Sequence, residues 1–301
     1  MPTLYTQAES NTRKTWLYLT GFFLLIVAIG WLISYLMESM FILWFAVILS
    51  VLMSFLSYWH SDKIILAMSR AKEIKKQDNP ELYRLVENLC ITAGLPLPKI
   101  YIIDEAQPNA FATGRDAKRG VVAVTRGLLE KLDRAELEGV IAHELSHIGN
   151  KDMLLQTIVV TLVGFIVLLT DFFFRMAFWG GIGGRGRNGG QARIILILFA
   201  LALAILAPLF ATLMKLAISR KREFLADASG ALLTRYPEGL ARALEKISQD
   251  PNSLRTANDA TTHLYIASPL RGKEKTSWLH KLFMTHPPVE ERVKALRGLK
   301  I

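Results

Sequence analysis

The chain has one cysteine, Cys90, in 301 residues. That excludes a disulfide-stapled scaffold and fits a reducing compartment for the domain that holds it. Charge is sparse too: Asp, Glu, Lys and Arg make up 21%, against about 25% in ordinary soluble domains. Acidic residues are the scarcer sign, 26 against 36 Lys and Arg, for a net charge of +10. Histidine is rare, with six residues, and no long internal repeat is present. What the chain has in excess is apolar residues, 51% of the total, with a mean hydropathy of +0.29. A chain this apolar buries enough surface to offset its ordering entropy, which excludes disorder. The basic residues flank the apolar runs rather than line one face, so anionic lipid explains them more simply than nucleic acid.

The apolar excess is concentrated in runs. Trp16–Leu36 and Met40–Trp59 are each long enough to cross a bilayer, which takes about 20 residues, and only Met37, Glu38 and Ser39 separate them. The first run is too long for a cleaved signal peptide and no small-residue cleavage site follows it. Arg13 and Lys14 precede the hairpin, and Lys63, Arg70, Lys72, Lys75 and Lys76 follow it. The positive-inside rule therefore puts both flanks in the cytoplasm. Met153–Thr170 is a third run, which the i,i+4 pair Asp171 and Arg175 is expected to close. Ile194–Ile218, with Pro208 and Lys215, is a fourth. Buried core helices compete with a second membrane hairpin for these two, because 18 residues is marginal. Arg185, Arg187 and Arg193 in the intervening loop would also oppose the orientation rule. Gly181, Gly183 and Gly186 spell G-x-G-x-x-G, but no strand precedes them; they read as a flexible loop rather than a dinucleotide site.

Between and after the runs the composition is that of a soluble domain. Pro80 at a helix start, apolar residues at Leu82, Leu85, Val86, Leu89, Cys90 and Ala93, and Gly94 as a stop predict a one-sided helix. Lys99–Asp104 and Gly120–Thr125 predict strands. Asp133 and Glu136 mark the start of a helix that continues to about His147.

That helix carries the most informative segment, His143-Glu144-Leu145-Ser146-His147. Residues i and i+4 lie about 40° apart and about 6 Å along the axis. Both imidazoles can therefore converge on one ion, while Glu144 sits beside it as a proton acceptor. Two histidines leave a catalytic zinc one protein ligand short, and no Gly-x-x-His follows to supply a metzincin ligand. The best candidate is Glu223, with Asp227 four residues on and able to orient a ligand histidine. An acidic pair that merely balances Arg220, Lys221 and Arg222 fits the spacing equally well.

His143–His147 with Glu223-x-x-x-Asp227 resembles the HtpX-type membrane zinc metalloproteases, relatives of the type I CAAX prenyl protease. The similarity extends over nearly the whole chain. It includes Pro108-Asn109-Ala110-Phe111-Ala112 and Thr285-His286-Pro287-Pro288 followed by Glu291-Arg292-Val293. The resemblance implies a multi-pass α-helical membrane protein with a zincin-like α+β metalloprotease domain. It also implies one zinc per chain on His143, His147 and Glu223, with Glu144 as catalytic base and Asp227 as orienting carboxylate. By the same resemblance His286 and Arg292 are catalytic and Asn109 binds substrate; taken alone, the first two read as structural and the third as a turn residue. His60, His263 and His280 match nothing.

The expected division is an N-terminal hairpin (1–59), a protease domain in two parts (60–150 and 219–301) and a second hydrophobic hairpin (151–218). Both zinc motifs lie within roughly 10 Å of apolar runs along the chain, so if those runs span the bilayer the ion must sit against the membrane surface. The expected activity is hydrolysis of membrane or unfolded proteins at the cytoplasmic face of the inner membrane, in quality control, with the bilayer as partner and no nucleic acid. A prenyl-protein protease and a non-enzymatic scaffold with a structural zinc are the alternatives.

Overall fold

The computed structural model describes residues 4–36, 38–150, 152–178, 197, 201, 220–252, 254, 264–267 and 287–299. The two N-terminal apolar runs form long helices, α1 (Leu4–Leu36) and α2 (Met40–Met68), folded into a hairpin. The tight turn is tied by the Ser39 amide donating to the Ser34 carbonyl at 3.0 Å. A Cβ at Gly30 would lie 2.2 Å from the Ala46 Cβ, so the close approach of the two helices requires glycine there. Only 28% of the apolar stretch of α1 and 17% of that of α2 is buried. Trp31, Phe41, Trp44, Phe45 and Ile48 face outward. A core helix of a soluble protein would be mostly covered, so these outward faces fit a bilayer.

The elements of the soluble part follow the hairpin in the chain. The first of these is β1 (Lys72–Glu73), followed by α3 (Pro80–Ala93). The Asn79 side chain caps α3 by accepting from the Leu82 amide at 3.0 Å, and Gly94 ends it in the left-handed region with φ 65°. Strands β2 (Lys99–Ile103), β3 (Ala110–Thr113) and β4 (Val121–Thr125) complete a mixed sheet of order β1-β2-β4-β3. β2 and β4 are parallel and the other pairings antiparallel, which leaves β3 at one edge. Helices α4 (Arg126–Lys131) and α5 (Arg134–Gly149) follow. Asp133 and Glu136 form a reciprocal capping box at the start of α5, both contacts at 2.9 Å.

The apolar helix α6 (Asp152–Phe178) leads back to the membrane hairpin. Its buried Ile158, Leu162 and Ile166 pack with Leu19, Phe22 and Ile26 of α1 and Ala46 of α2. α6 continues through Asp171 and Arg175, where the sequence predicted a stop; an i,i+4 pair of opposite charge supports a helix rather than ending it. The fourth apolar run lies outside the described residues, apart from Ile197 and Leu201. The last elements are α7 (Arg220–Thr234), α8 (Pro237–Gln249) and α9 (Val289–Arg297).

Period-two alternation divides the sheet between two cores. Ile100, Ala110, Ala112, Val122 and Val124 join the core built with α3, α5, α8 and α9. Ile103, Phe111, Val121 and Ala123 face the opposite way, onto Ile65 and Leu66 at the end of α2 and Val160 of α6. β4 is buried at all five positions, as a strand covered on both faces must be. One sheet face thus carries the helix with the histidines, while the other rests on the foot of the membrane helices.

Candidate metal centre

Helix α5 presents His143 and His147 on one face, and α7 crosses it with Glu223 and Asp227, also i,i+4. A Cβ at Gly230 would lie 2.9 Å from the His143 backbone nitrogen, so the absence of a side chain there sets how closely α7 approaches. The two Nε2 atoms lie 3.2 Å apart. The Glu223 carboxylate is 3.6 Å from His147 Nε2 and 3.9 Å from His143 Nε2. Ligand atoms at about 2.0–2.1 Å from a tetrahedral zinc lie roughly 3.3–3.4 Å from one another, so the histidine pair already has the required spacing and Glu223 is slightly outside it. All three residues are buried, and their ligand atoms fall within 4.8 Å of one another.

Each histidine turns its Nδ1 toward a second carboxylate. His143 Nδ1 is 2.9 Å from Asp227 Oδ1, with its N–H off the line to that oxygen. Asp227 is gripped by Arg292, whose Nε donates to Oδ2 at 2.8 Å and whose Nη2 donates to Oδ1 at 2.6 Å. Burial pushes the Asp227 carboxyl up, but the guanidinium and His143 override it and hold it at about 2. On the other side, His147 Nδ1 lies 3.4 Å from Asp152 Oδ2, and Asp152 Oδ1 lies 3.5 Å from Arg222 Nη1. Burial lowers His147, yet Asp152, Glu223 and Glu144 outweigh it and raise the ring to about 9. A field that draws a proton onto a buried imidazole also draws a divalent cation.

Glu144 is buried beside this cluster. Desolvation raises its carboxyl to about 7, helped by Glu223 and opposed by His147, Arg292 and the Ala112 amide, which donates to it. That amide belongs to β3, so Glu144 stands between the candidate metal ligands and the edge of the sheet. A carboxylate with an affinity for protons near neutrality suits transfer in both directions.

Two of the expected site residues are held by partners within the chain. Asn109, expected to bind substrate, has a buried side chain with hydrogen-bond partners on two segments. Nδ2 donates to the Ala267 carbonyl at 3.0 Å, and Oδ1 accepts from the Ala110 and Ala267 amides at 3.1 and 3.4 Å. It clamps residues 264–267 beside β3, where the Ile266 amide also donates to the Ala110 carbonyl. Arg292 was expected among the catalytic groups. Its guanidinium is committed to Asp227 and, through Nη1, to the Ile266 carbonyl at 2.9 Å, so it supports the orienting carboxylate. His286 lies outside the described residues; Pro288, two positions on, caps α9. Sequence reasoning missed Asp152. Its signal was an acid five residues after His147, at the first position of an apolar helix.

The fold and the site together define a class, the membrane-bound metalloproteases. Residues 76–300 match the model of Peptidase family M48. A "Protease HtpX homolog" of Dictyoglomus thermophilum is 46% identical over 296 residues, covering 98% of this chain and 94% of that protein. Homologues of the same name from Thermoanaerobacter pseudethanolicus and Listeria monocytogenes are 44% and 42% identical, covering 99% and 98% of this chain and 98% and 100% of theirs. The crystal structure of S. mikatae Ste24p aligns with a TM-score of 0.49 at 23% identity, over 89% of this chain and 62% of that one. The chain belongs to peptidase family M48.

Proposed function

We propose that the protein is a zinc endopeptidase of the inner membrane that cleaves membrane or unfolded proteins at the cytoplasmic face. The fold is then a zincin-like α+β domain assembled from 60–150 and 219–301, interrupted by a hydrophobic hairpin at 151–218. The observation that carries this reading is the convergence of His143, His147 and Glu223 with Glu144 at the edge of β3. Two imidazoles and a carboxylate suit zinc in its three-ligand catalytic form.

His143, His147 and Glu223 would hold one zinc per chain. When bound, zinc supplies a Lewis acid for the scissile carbonyl and lowers the pKa of water. Glu144 accepts the proton from the attacking water and delivers it to the leaving amine. Ala112 orients the Glu144 carboxylate through its amide. Asp227 fixes the His143 ring, and Arg292 fixes Asp227. β3 is a sheet edge on which an extended substrate can pair by its backbone, with the Asn109 clamp on residues 264–267 limiting that pairing at one end.

Topology is supported by the basic residues around both ends of the hairpin; a reporter fused near Lys76 reads cytoplasmic on this account. Quality control rests on the family resemblance. The deciding experiment is Glu144→Gln in proteoliposomes holding a tethered substrate. Loss of about 10²–10⁴-fold in cleavage with zinc retained is expected. Unchanged cleavage would leave the hydrolase reading without its base, and a structural zinc would be the better account.

A further inference from the structure

Buried imidazoles that bind a metal need their second nitrogen held, because tautomer and ring orientation otherwise drift. His143 has that support from the Asp227–Arg292 pair, and His147 has a similar arrangement of its own. Its Nδ1 faces Asp152 Oδ2 at 3.4 Å, and the other Asp152 oxygen faces Arg222 Nη1 at 3.5 Å. Asp152 is fully buried and Arg222 nearly so. We propose that Asp152 is the positioning residue for His147 and that Arg222 positions Asp152, so that zinc affinity depends on both. This inference rests on the zinc reading of the site.

The placement of Asp152 in the fold gives it a distinct role. It is the first residue of α6, where a carboxylate is favoured by the helix dipole, and it lies only five residues beyond His147. The chain turns at Asn150, the C-terminal cap of α5, and brings the Asp152 carboxylate back beneath the ring. Asp227 belongs to α7 and is gripped from α9, so His143 is referenced to the soluble helices. His147 is referenced to α6, which packs through Ile158, Leu162 and Ile166 onto the membrane hairpin. The zinc site is thereby fixed from both sides of the junction.

The test uses the full-length protein in detergent. Zinc affinity is measured by competition with a chromophoric chelator for wild type, Asp152→Ala, Asp152→Asn and Arg222→Lys, beside the visible spectrum of the cobalt-substituted forms. Metal-free melting curves monitor the fold. Loss of second-layer partners of this kind weakens metal binding by about 10–100-fold, and Asp152→Ala is expected near the lower figure. Asp152→Asn, whose carbonyl can still accept from Nδ1, is expected to lose less, and Arg222→Lys less again. A shifted cobalt spectrum in the Ala variant reports the altered histidine. Zinc affinity within twofold of wild type for Asp152→Ala, with an unshifted spectrum, overturns the proposal. A lowered metal-free melting temperature with wild-type affinity also overturns it, since that is a structural role only. Should the Ala variant not fold, Asp152→Asn decides, and wild-type affinity there counts against the proposal. Failure of the wild type itself to bind zinc would instead refute the zinc reading.

Discussion

Arg292 offers the sharpest perturbation, because its effect is set by burial and partner geometry. The side chain is 1% exposed and makes two donor contacts to Asp227 and one to the Ile266 carbonyl. Arg292→Ala leaves the Asp227 carboxylate buried with His143 as its remaining ring partner. Removing one member of a buried ion pair costs about 3–5 kcal/mol. For a domain of roughly 150–250 residues, each kcal/mol moves the melting temperature by about 2–4 °C, so a drop of roughly 6–20 °C is expected. A uniform loss of packing predicts nothing more. The charge argument predicts that Asp227→Asn restores part of the loss in the Arg292→Ala background, because the unpaired charge is removed. A four-member cycle of melting temperatures on the chelator-stripped protein measures that coupling. If the double variant is as destabilised as the sum of the singles, the guanidinium contributes packing alone and the reasoning fails. Zinc affinity should fall in Arg292→Ala in either case, since Asp227 no longer holds His143 firmly.

Other outcomes follow from the same contacts. Gly230→Ala introduces a Cβ 2.9–3.2 Å from the backbone of His143 and Ala142; overpacking of this kind costs about 1–3 kcal/mol. Because α7 must retreat with Glu223 and Asp227, zinc affinity should fall together with stability, and unchanged affinity would refute the seam. Burial raises the Cys90 thiol to about 11, so the neutral form is held throughout the physiological range and the reactive thiolate appears only as pH rises toward that value. Alkylation at pH 8 should accordingly wait for unfolding, and rapid labelling of the native protein would contradict the buried placement. Zinc removal should destabilise: at zinc 1,000-fold above its dissociation constant, binding contributes about 4.1 kcal/mol, and a chelator should lower the melting temperature by roughly 8–16 °C.

Much of this structure is local and was therefore legible. The Asn79 cap, Pro80 and Gly94 delimit α3, the Asp133–Glu136 box starts α5, and β2 and β4 lie within a residue of the predicted strands. The His143/His147 and Glu223/Asp227 pairs needed only 3.6 residues per turn. What escaped depended on distant partners. Asn109 meets Ala267 across 158 positions, and no local pattern distinguishes a clamp from a substrate contact. Arg292 reaches Asp227 across 65, a pairing that no local pattern signals. Asp152 was hidden by its setting: an acid ahead of an apolar run reads as a helix cap, and its carboxylate becomes a histidine partner only once the chain has turned at Asn150.

Helix α5 itself explains why a site of this composition needs so much outside support. α5 is buried along the stretch from Gly139 to Leu145 and again at His147 and Ile148, so it has no wet face on which a charge could be solvated. An ionised carboxylate in such a place must be paired. Arg292 answers Asp227 and also reaches Glu223 with Nη1 at 4.0 Å, while Arg222 faces Asp152 at 3.5 Å. The two imidazoles disfavour magnesium and calcium, which prefer oxygen ligands. On the zinc reading the two arginines hold the carboxylates that face each Nδ1, and Glu144 lies buried beside the candidate ligand atoms.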